Sequence, residues 1–415
     1  MKRQLILLIG LCLLALNISQ AQQNDYLKQG NDCFDRGDYD CAKRNFSVQK
    51  LQVSSAGMDA KIELCDKCTQ ILTVANFLFS EKDFAKAKSK YEELLAVNPK
   101  DPHARRQIEL CNKETITPQS MYEKGNVYFD EKKYQEALEW LRKAADQGHE
   151  GAQQNIGLMY AWGLGVTQNY TEAARWYRKA ADQGEVYALT NLGELYESGL
   201  GVPKDYAEAV KLYRIAADKN FLRAISHLGH MYEYGYGVTK DYVEAVKWYR
   251  KAADQGYVSA QDRLGYMYQY GYGVTKDYTE AVKWYRKAAD QGYASAQNSL
   301  GHRYRWGEGV TQDYAEAVKW YRKAADQGYA YAQDNLGDMY YNGYGVTKDY
   351  AEAVRWYRKG ADQGYAYAQY DIGRMYENGY GVTKDIAEAI KWYTKAADKG
   401  NESAKESLKR LNGGR

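Results

Sequence analysis

The sequence predicts an all-α solenoid of helical hairpins, and three observations carry that prediction. Residues 259–294, SAQDRLGYMYQYGYGVTKDYTEAVKWYRKAADQGYA, are written with small changes seven times in succession. The glycine of the Leu-Gly or Ile-Gly step falls at Gly157, Gly193, Gly229, Gly265, Gly301, Gly337 and Gly373, a period of 36 residues. A fixed period of this size marks stacked units, none of which buries its apolar face alone. Within each copy apolar residues return twice at helical spacing, as Leu264, Met267 and Tyr268 and then as Ala281, Val282, Trp284, Tyr285 and Ala288. Each copy therefore reads as two helices.

The punctuation between them has a mechanism. Gly271-Tyr272-Gly273-Val274 ends the first helix, because glycine tolerates the positive φ of a helix-ending turn. Asp277 opens the second, and Glu280 three residues on is expected to complete a capping box. In that box the Asp takes a free first-turn N–H and the Glu reaches back to the cap's own N–H. The pair recurs as Asp205/Glu208, Asp241/Glu244, Asp313/Glu316, Asp349/Glu352 and Asp385/Glu388. Gln291-Gly292 closes the unit.

The frame A-x-x-x-L-G-x-x-Y-x-x-G-x-G-V-x-x-D-Y-x-E-A-x-x-W-Y-x-x-A-A-x-x-G resembles the Sel-one-like repeat, a longer-looped relative of the tetratricopeptide repeat, over about Pro118 to Gly400. The resemblance implies a right-handed α/α superhelix whose members mostly act as adaptors or scaffolds for other proteins. It implies no particular partner and no cofactor.

In chain order, residues 1–21 combine a basic start at Lys2-Arg3, an apolar run from Leu5 to Leu16 and a small-residue end at Ala21, the pattern of a secretory signal peptide. The run is too short to span a bilayer, for which about 20 residues are needed. Cys12 follows Leu11 rather than a small residue, which argues against a lipid attachment site. The expected location is outside the cytoplasm, periplasmic or secreted, in a bacterium.

Residues 22–114 form a separate module with a period of about 45 residues. Phe34-Asp35-Arg36-Gly37-Asp38-Tyr39 parallels Phe79-Ser80-Glu81-Lys82-Asp83-Phe84, and KIELCDKC at 61–68 parallels QIELCNKE at 107–114. Two three-helix units are expected, the second of which, with Ala75, Ala87, Tyr91 and Pro99, resembles a tetratricopeptide repeat. All five cysteines beyond the leader, Cys33, Cys41, Cys65, Cys68 and Cys111, lie here. Cys33 and Cys41 flank a predicted helix-helix turn and are the candidates for a disulfide, which an oxidising compartment permits. Cys65-x-x-Cys68 has no second ligand pair and no βα context, so buried thiols are expected rather than a metal or redox centre.

Pro118 disfavours helix in the residue before it and so marks a junction. Residues 115–150 are a transitional repeat whose Gly125 lies 32 residues before Gly157, without the four extra loop residues of the long copies. The seven long repeats occupy 151–402. Residues 403–415 supply a polar capping helix and a tail, with 412–415 expected to be disordered.

Composition narrows the function. A net charge of +3, two units of which lie in the leader, leaves no basic footprint for nucleic acid or an anionic membrane. Of the 42 tyrosines, 28 fall in five fixed columns of the frame and are expected to be packing residues. GxSxG, HExxH and phosphate-loop motifs are absent. Ser47-Val48-Gln49-Lys50 matches S-x-x-K of penicillin-recognising enzymes without the companion S-D-N and K-T-G elements. Some secreted, cysteine-rich members of the resembled family are associated with penicillin binding or hydrolysis. A β-lactamase-like activity is therefore the alternative, although residues 151–402 contain no cysteine.

Binding residues are sought among columns that vary between copies, since fixed columns answer to shared packing. Five residues after the frame glycine stand Trp162, Tyr234, Tyr270 and Trp306, and directly after it His230, Tyr266 and His302. Spacing of i to i+4 sets His230 with Tyr234, Tyr266 with Tyr270 and His302 with Trp306 on one helical face. Three neighbouring first helices would then present one aromatic stripe, a set of anchors for a protein or peptide partner, with Arg305, Tyr341 and Tyr370 nearby. The same residues would equally serve to cover the long loops. His227 and His230 sit one turn apart, but structural zinc wants four ligands, so no metal is expected.

Overall fold

The computed structural model describes residues 24–52, 56–114 and 117–413, which fall into two compact units, 1–152 and 153–415. The expected signal peptide lies outside the described residues. Among those residues there is no strand, and within each unit helices pack on their sequence neighbours, as α6 on α7 and α14 on α15.

The first unit holds α1 (24–35), α2 (Tyr39–Gln52), α3 (Ala56–Ser80), α4 (Phe84–Val97), α5 (Pro102–Glu114), α6 (Pro118–Asp130) and α7 (Tyr134–Ala145). The expectation of two three-helix units needs correction here. The last helix of the first and the first helix of the second are one continuous helix, the 25-residue α3. No glycine or proline interrupts it between Gly57 and Ser80, so nothing stops propagation once it has nucleated. Cys65, Cys68, Ile71 and Ala75 line its buried side.

The turn between α1 and α2 is clamped from the far end of the module. Asn98 Nδ2 donates to the Phe34 carbonyl (2.5 Å) and to the Tyr39 hydroxyl (3.2 Å), and that hydroxyl in turn bonds the buried Asp101 carboxylate. Asp101 Oδ1 also accepts the Ala104 N–H at 2.9 Å, capping α5. Within the same turn the Sγ atoms of Cys33 and Cys41 are bonded, with their Cα atoms 5.8 Å apart.

The second unit is one hairpin repeated. The pairs are α8 (Glu150–Trp162) with α9 (Tyr170–Asp182), α10 (Val186–Ser198) with α11 (Tyr206–Asp218), and α12 (Leu222–Tyr234) with α13 (Tyr242–Ala253). There follow α14 (Val258–Tyr270) with α15 (Tyr278–Asp290), α16 (Ala294–Trp306) with α17 (Tyr314–Asp326), and α18 (Ala330–Asn342) with α19 (Tyr350–Asp362). The last pair is α20 (Ala366–Asn378) with α21 (Ile386–Asp398), closed by α22 (Glu402–Gly413). The tail expected to be disordered from 412 is helical through Gly413, and 414–415 lie outside the described residues.

Each fixed column has a packing reason. The frame glycine is required because the second-helix tyrosine lies against it: a Cβ on Gly265 would sit 2.8 Å from the Tyr285 ring. That ring is 2% exposed, and its hydroxyl donates to Gln269 at 2.7 Å, so its polar tip is satisfied inside the core. Gly273, at φ +67°, brings its loop onto the preceding repeat, where a Cβ would come within 2.2 Å of the Tyr242 carbonyl oxygen. The loop tyrosine Tyr272 then stacks on Tyr242, ring centres 4.8 Å apart.

Successive repeats are also sewn by polar bonds. Arg214 donates to the Tyr232 hydroxyl of the next copy at 2.6 Å, and Arg286 and Arg322 bond Tyr304 and Tyr340 in the same way. Glutamines form a second seam, an exposed one reaching a buried one: Gln291 Nε2 donates to Gln261 Oε1 (2.8 Å), while Gln261 donates to the Ala253 carbonyl (3.1 Å).

The capping motif is half as expected. Asp277 Oδ1 accepts the Glu280 N–H at 3.0 Å. Glu280 does not reach back, because the Asp277 N–H is already given to the Tyr268 carbonyl (2.9 Å) by closure of the loop. Its carboxylate pairs with Lys283 instead, at 2.9 Å. The other copies repeat this arrangement, as in Asp313 with Glu316 and Lys319.

Candidate partner-binding groove

The first helices of neighbouring copies touch through residues 33 apart, as in Ser226 with Ser259, Ser295 with Asp262 and Arg305 with Asp338. The face they share is built from positions before and after the frame glycine that vary between copies. This is the face on which the aromatic stripe was expected.

The stripe residues are neither wholly packed nor wholly free. Tyr234 lies 5.6 Å from the loop ring Tyr236 and 4.7 Å from His230. Tyr270 repeats the arrangement with Tyr272 (5.7 Å) and Tyr266 (4.6 Å). In the next copy the loop tyrosine is replaced by Glu308, and His302 and Trp306 stand 6.1 Å apart. Tyr234, Tyr270 and Trp306 nevertheless keep 43%, 50% and 57% of their surface exposed, and Trp162 keeps 70%. Tyr234 and Tyr270 thus rest one side on their own loop and offer the other to solvent, while Trp306 leans on His302 and Arg305 of its own helix. Tyr341 contacts Tyr350 and Tyr380, and Tyr370 packs on Tyr393.

Beside the stripe, copies two to four enclose a cleft of about 310 Å³ lined by Glu197, Arg223, His227, His230, Arg263 and several hydroxyls. An ionic network runs alongside it. Arg223 grips both oxygens of Glu194, and His227 Nε2 lies 2.9 Å from one of them while its ring stacks on Tyr213 at 4.7 Å. Burial works to raise the Glu194 carboxyl, but the His227 hydrogen bond and the Arg223 charge outweigh it and hold the group below its ordinary value. Glu197 accepts the Tyr213 hydroxyl (2.8 Å) and Glu233 that of Tyr249 (2.6 Å). Burial disfavours the charged form of His230, and burial with the neighbouring Arg303 lowers His302 to about 4, so both imidazoles are neutral at physiological pH.

At the other end of the groove carboxylates crowd together. Arg305 pairs with Asp338 at 3.1 Å and Arg374 with Asp371 at 2.8 Å. Burial raises the Asp371 carboxyl to about 7, with the Asp338 charge adding to the effect.

One buried ion pair was not foreseen from the sequence. Arg303, 3% exposed, occupies the column held by Met267 and Met339 in the flanking copies, and it pairs with Glu308 at 2.6 Å beneath the Tyr278 ring. The signal was present: the one copy with arginine at the methionine position also has glutamate where the flanking copies have the loop tyrosine.

Burial lifts the Cys65 and Cys68 thiols to about 11, away from the nucleophilic thiolate, and Cys111 is also buried. Among the described residues no group of three or more His, Cys, Asp or Glu is placed to hold a metal ion. Ser47 lies within α2, half-buried. Among the described residues no helix is long and apolar enough to cross a membrane.

The fold and its variable inner face define a helical-repeat solenoid. The Sel1 repeat profile matches residues 120–149, 151–185, 186–221, 222–257, 258–293, 294–329, 330–365 and 366–401, and the chain belongs to the Sel1 repeat family. The hairpin α6–α7, with its shorter loop, is thus the first of eight copies. The chain is 40% identical to c5321, a protective antigen present in uropathogenic Escherichia coli strains displaying an SLR fold; the match covers 72% of this chain and 65% of that one, at a TM-score of 0.60. It therefore spans just under two thirds of that relative's length. A Sel1 repeat protein from Oxalobacter formigenes is 34% identical, with 71% and 86% coverage and a TM-score of 0.55. No curated protein matches the chain. Sel1 repeat proteins are in general protein-interaction scaffolds rather than enzymes.

Proposed function

We propose that this protein is an exported, non-catalytic scaffold that docks an extended segment or helix of a protein partner along the first-helix groove, anchored on repeats three to five. The observation that carries it is the half-exposed row Tyr234, Tyr270 and Trp306, aromatic surface kept open on a helix face whose other columns differ from copy to copy. Aromatic side chains held by a scaffold supply contact area at little entropic cost and are frequent anchors of recognition. Export rests on the basic, apolar and small-residue pattern of residues 1–21.

A photo-crosslinking residue at position 270, compared with one at the exposed Lys283 of the second helix, tests the reading in producing cells. A partner adduct at 270 but not at 283 is expected. An adduct at 283 alone contradicts the groove assignment.

A further inference from the structure

The groove holds more carboxyl groups than it has guanidinium partners for. Five of its carboxylates have guanidinium partners: Glu194 has Arg223, Asp338 has Arg305 and Asp371 has Arg374, while Glu233 lies 3.9 Å from Arg263 and Glu377 is gripped by Arg410 of α22. Three others, Glu197, Asp262 and Asp334, have no guanidinium of their own. Glu197 accepts the Tyr213 hydroxyl and has the imidazoles of His227 and His230 at 3.8 and 3.6 Å. Asp262 Oδ2 accepts the Ser295 hydroxyl at 3.2 Å, and Oδ1 of Asp262 and Oδ1 of Asp334 are enclosed without a hydrogen-bond partner. Both aspartates are only partly covered as residues, so each still reaches the groove surface. A carboxylate held this way costs stability that nothing in the chain recovers. Burial accordingly lifts Asp262 to about 6 and Asp334 well above the usual carboxylate range.

The three fall in alternate copies, although Glu197 stands four residues after its frame glycine and so in a different column from the other two. Glu197 belongs to the second long copy, Asp262 to the fourth and Asp334 to the sixth, and the two aspartates occupy the same column, three residues before the frame glycine. Between them along the groove stand Tyr234 of the third copy and Trp306 of the fifth. The chain as a whole is net positive, so this deficit is local to the inner face. Opposite charge on a partner is what such a surface selects, with exposed rings in between to receive apolar or cationic side chains.

Resting on the docking role proposed above, we infer that the groove's occupant is an extended segment bearing three lysine or arginine side chains, one against each of Glu197, Asp262 and Asp334, with apolar residues between. Packed helices lie about 8–10 Å apart, and an extended chain covers about 3.3 Å per residue. Two copies then correspond to roughly six residues, and the segment to about 15–18.

The experiment uses three labelled 18-residue peptides of otherwise neutral sequence, read by fluorescence anisotropy against the mature chain. One carries lysine at positions 3, 9 and 15, one glutamate at the same places, and one three contiguous lysines. The spaced lysine peptide should bind at least tenfold more tightly than either other. The double variant Asp262→Asn/Asp334→Asn should weaken it about tenfold while melting no lower than the parent, since it removes two carboxyls whose enclosed oxygens have no partner. Equal binding of the glutamate peptide, or no response to the double variant, overturns the inference. If no peptide binds while a partner still crosslinks at position 270, the scaffold reading survives and the charge pattern falls. If neither is seen, both fall.

Discussion

The two helices of each repeat use the same frame in opposite ways. The second helix is almost a constant, D-Y-x-E-A-V-K-W-Y-R-K-A-A, and its constant residues act within the fold. Asp277 caps, Tyr285 fills the space above Gly265, and Arg286 donates to the next copy's Tyr304. The first helix keeps what the hairpin needs, Ala260, Leu264, Gly265 and Tyr268 among its constant columns, and changes most of the positions on its inner side. Repetition therefore separates packing from recognition inside a single chain, since a packing problem solved seven times has one answer and a binding surface has no reason to repeat.

The difference can be broken first where packing is densest. Tyr285→Ala empties a fully buried ring site and should cost about 3–5 kcal/mol, visible as a lower melting temperature in circular dichroism. Glu308→Ala should be nearly as damaging, about 3–5 kcal/mol, because it leaves Arg303 buried without its counter-charge. Gly265→Ala forces a methyl against the Tyr285 ring and should cost about 1–3 kcal/mol by overpacking. Asp277→Ala removes one cap and should cost about 1 kcal/mol.

The inner face sharpens the contrast through pH. Burial raises the Asp371 carboxyl to about 7, above its unfolded value, so the stability it contributes is present in acid and lost as pH rises through 7. Melting temperature should fall between about pH 4 and 7 and level off above, and Asp371→Asn should flatten that slope. Smallest of all, Tyr270→Ala should change stability by less than about 0.5 kcal/mol, in equilibrium unfolding, because half of the ring is already in water.

Much of this was legible in the sequence because periodicity writes packing directly. The hairpin boundaries, the glycine stops and the aspartate caps follow from residue type and spacing, and so does the stripe, since i to i+4 fixes a shared face. What escaped depends on competition for a single group. Glu280 had the right spacing to reach back, but the loop had already used the Asp277 N–H. The helix α3 ran through an expected boundary because similarity between segments locates a repeat and does not show where a helix stops. The glutamine seam and the uncompensated carboxylates join residues 30 or more apart, a distance that no local pattern spans.

The most direct measurement pairs stability with binding in one variant, Tyr234→Ala/Tyr270→Ala/Trp306→Ala. Division of labour between the helices predicts a melting curve within about 2 °C of the parent, since each substitution is worth a few tenths of a kcal/mol, together with loss of partner capture. A melting curve displaced by about 10 °C or more with capture intact would contradict it, and would make the stripe part of the packing.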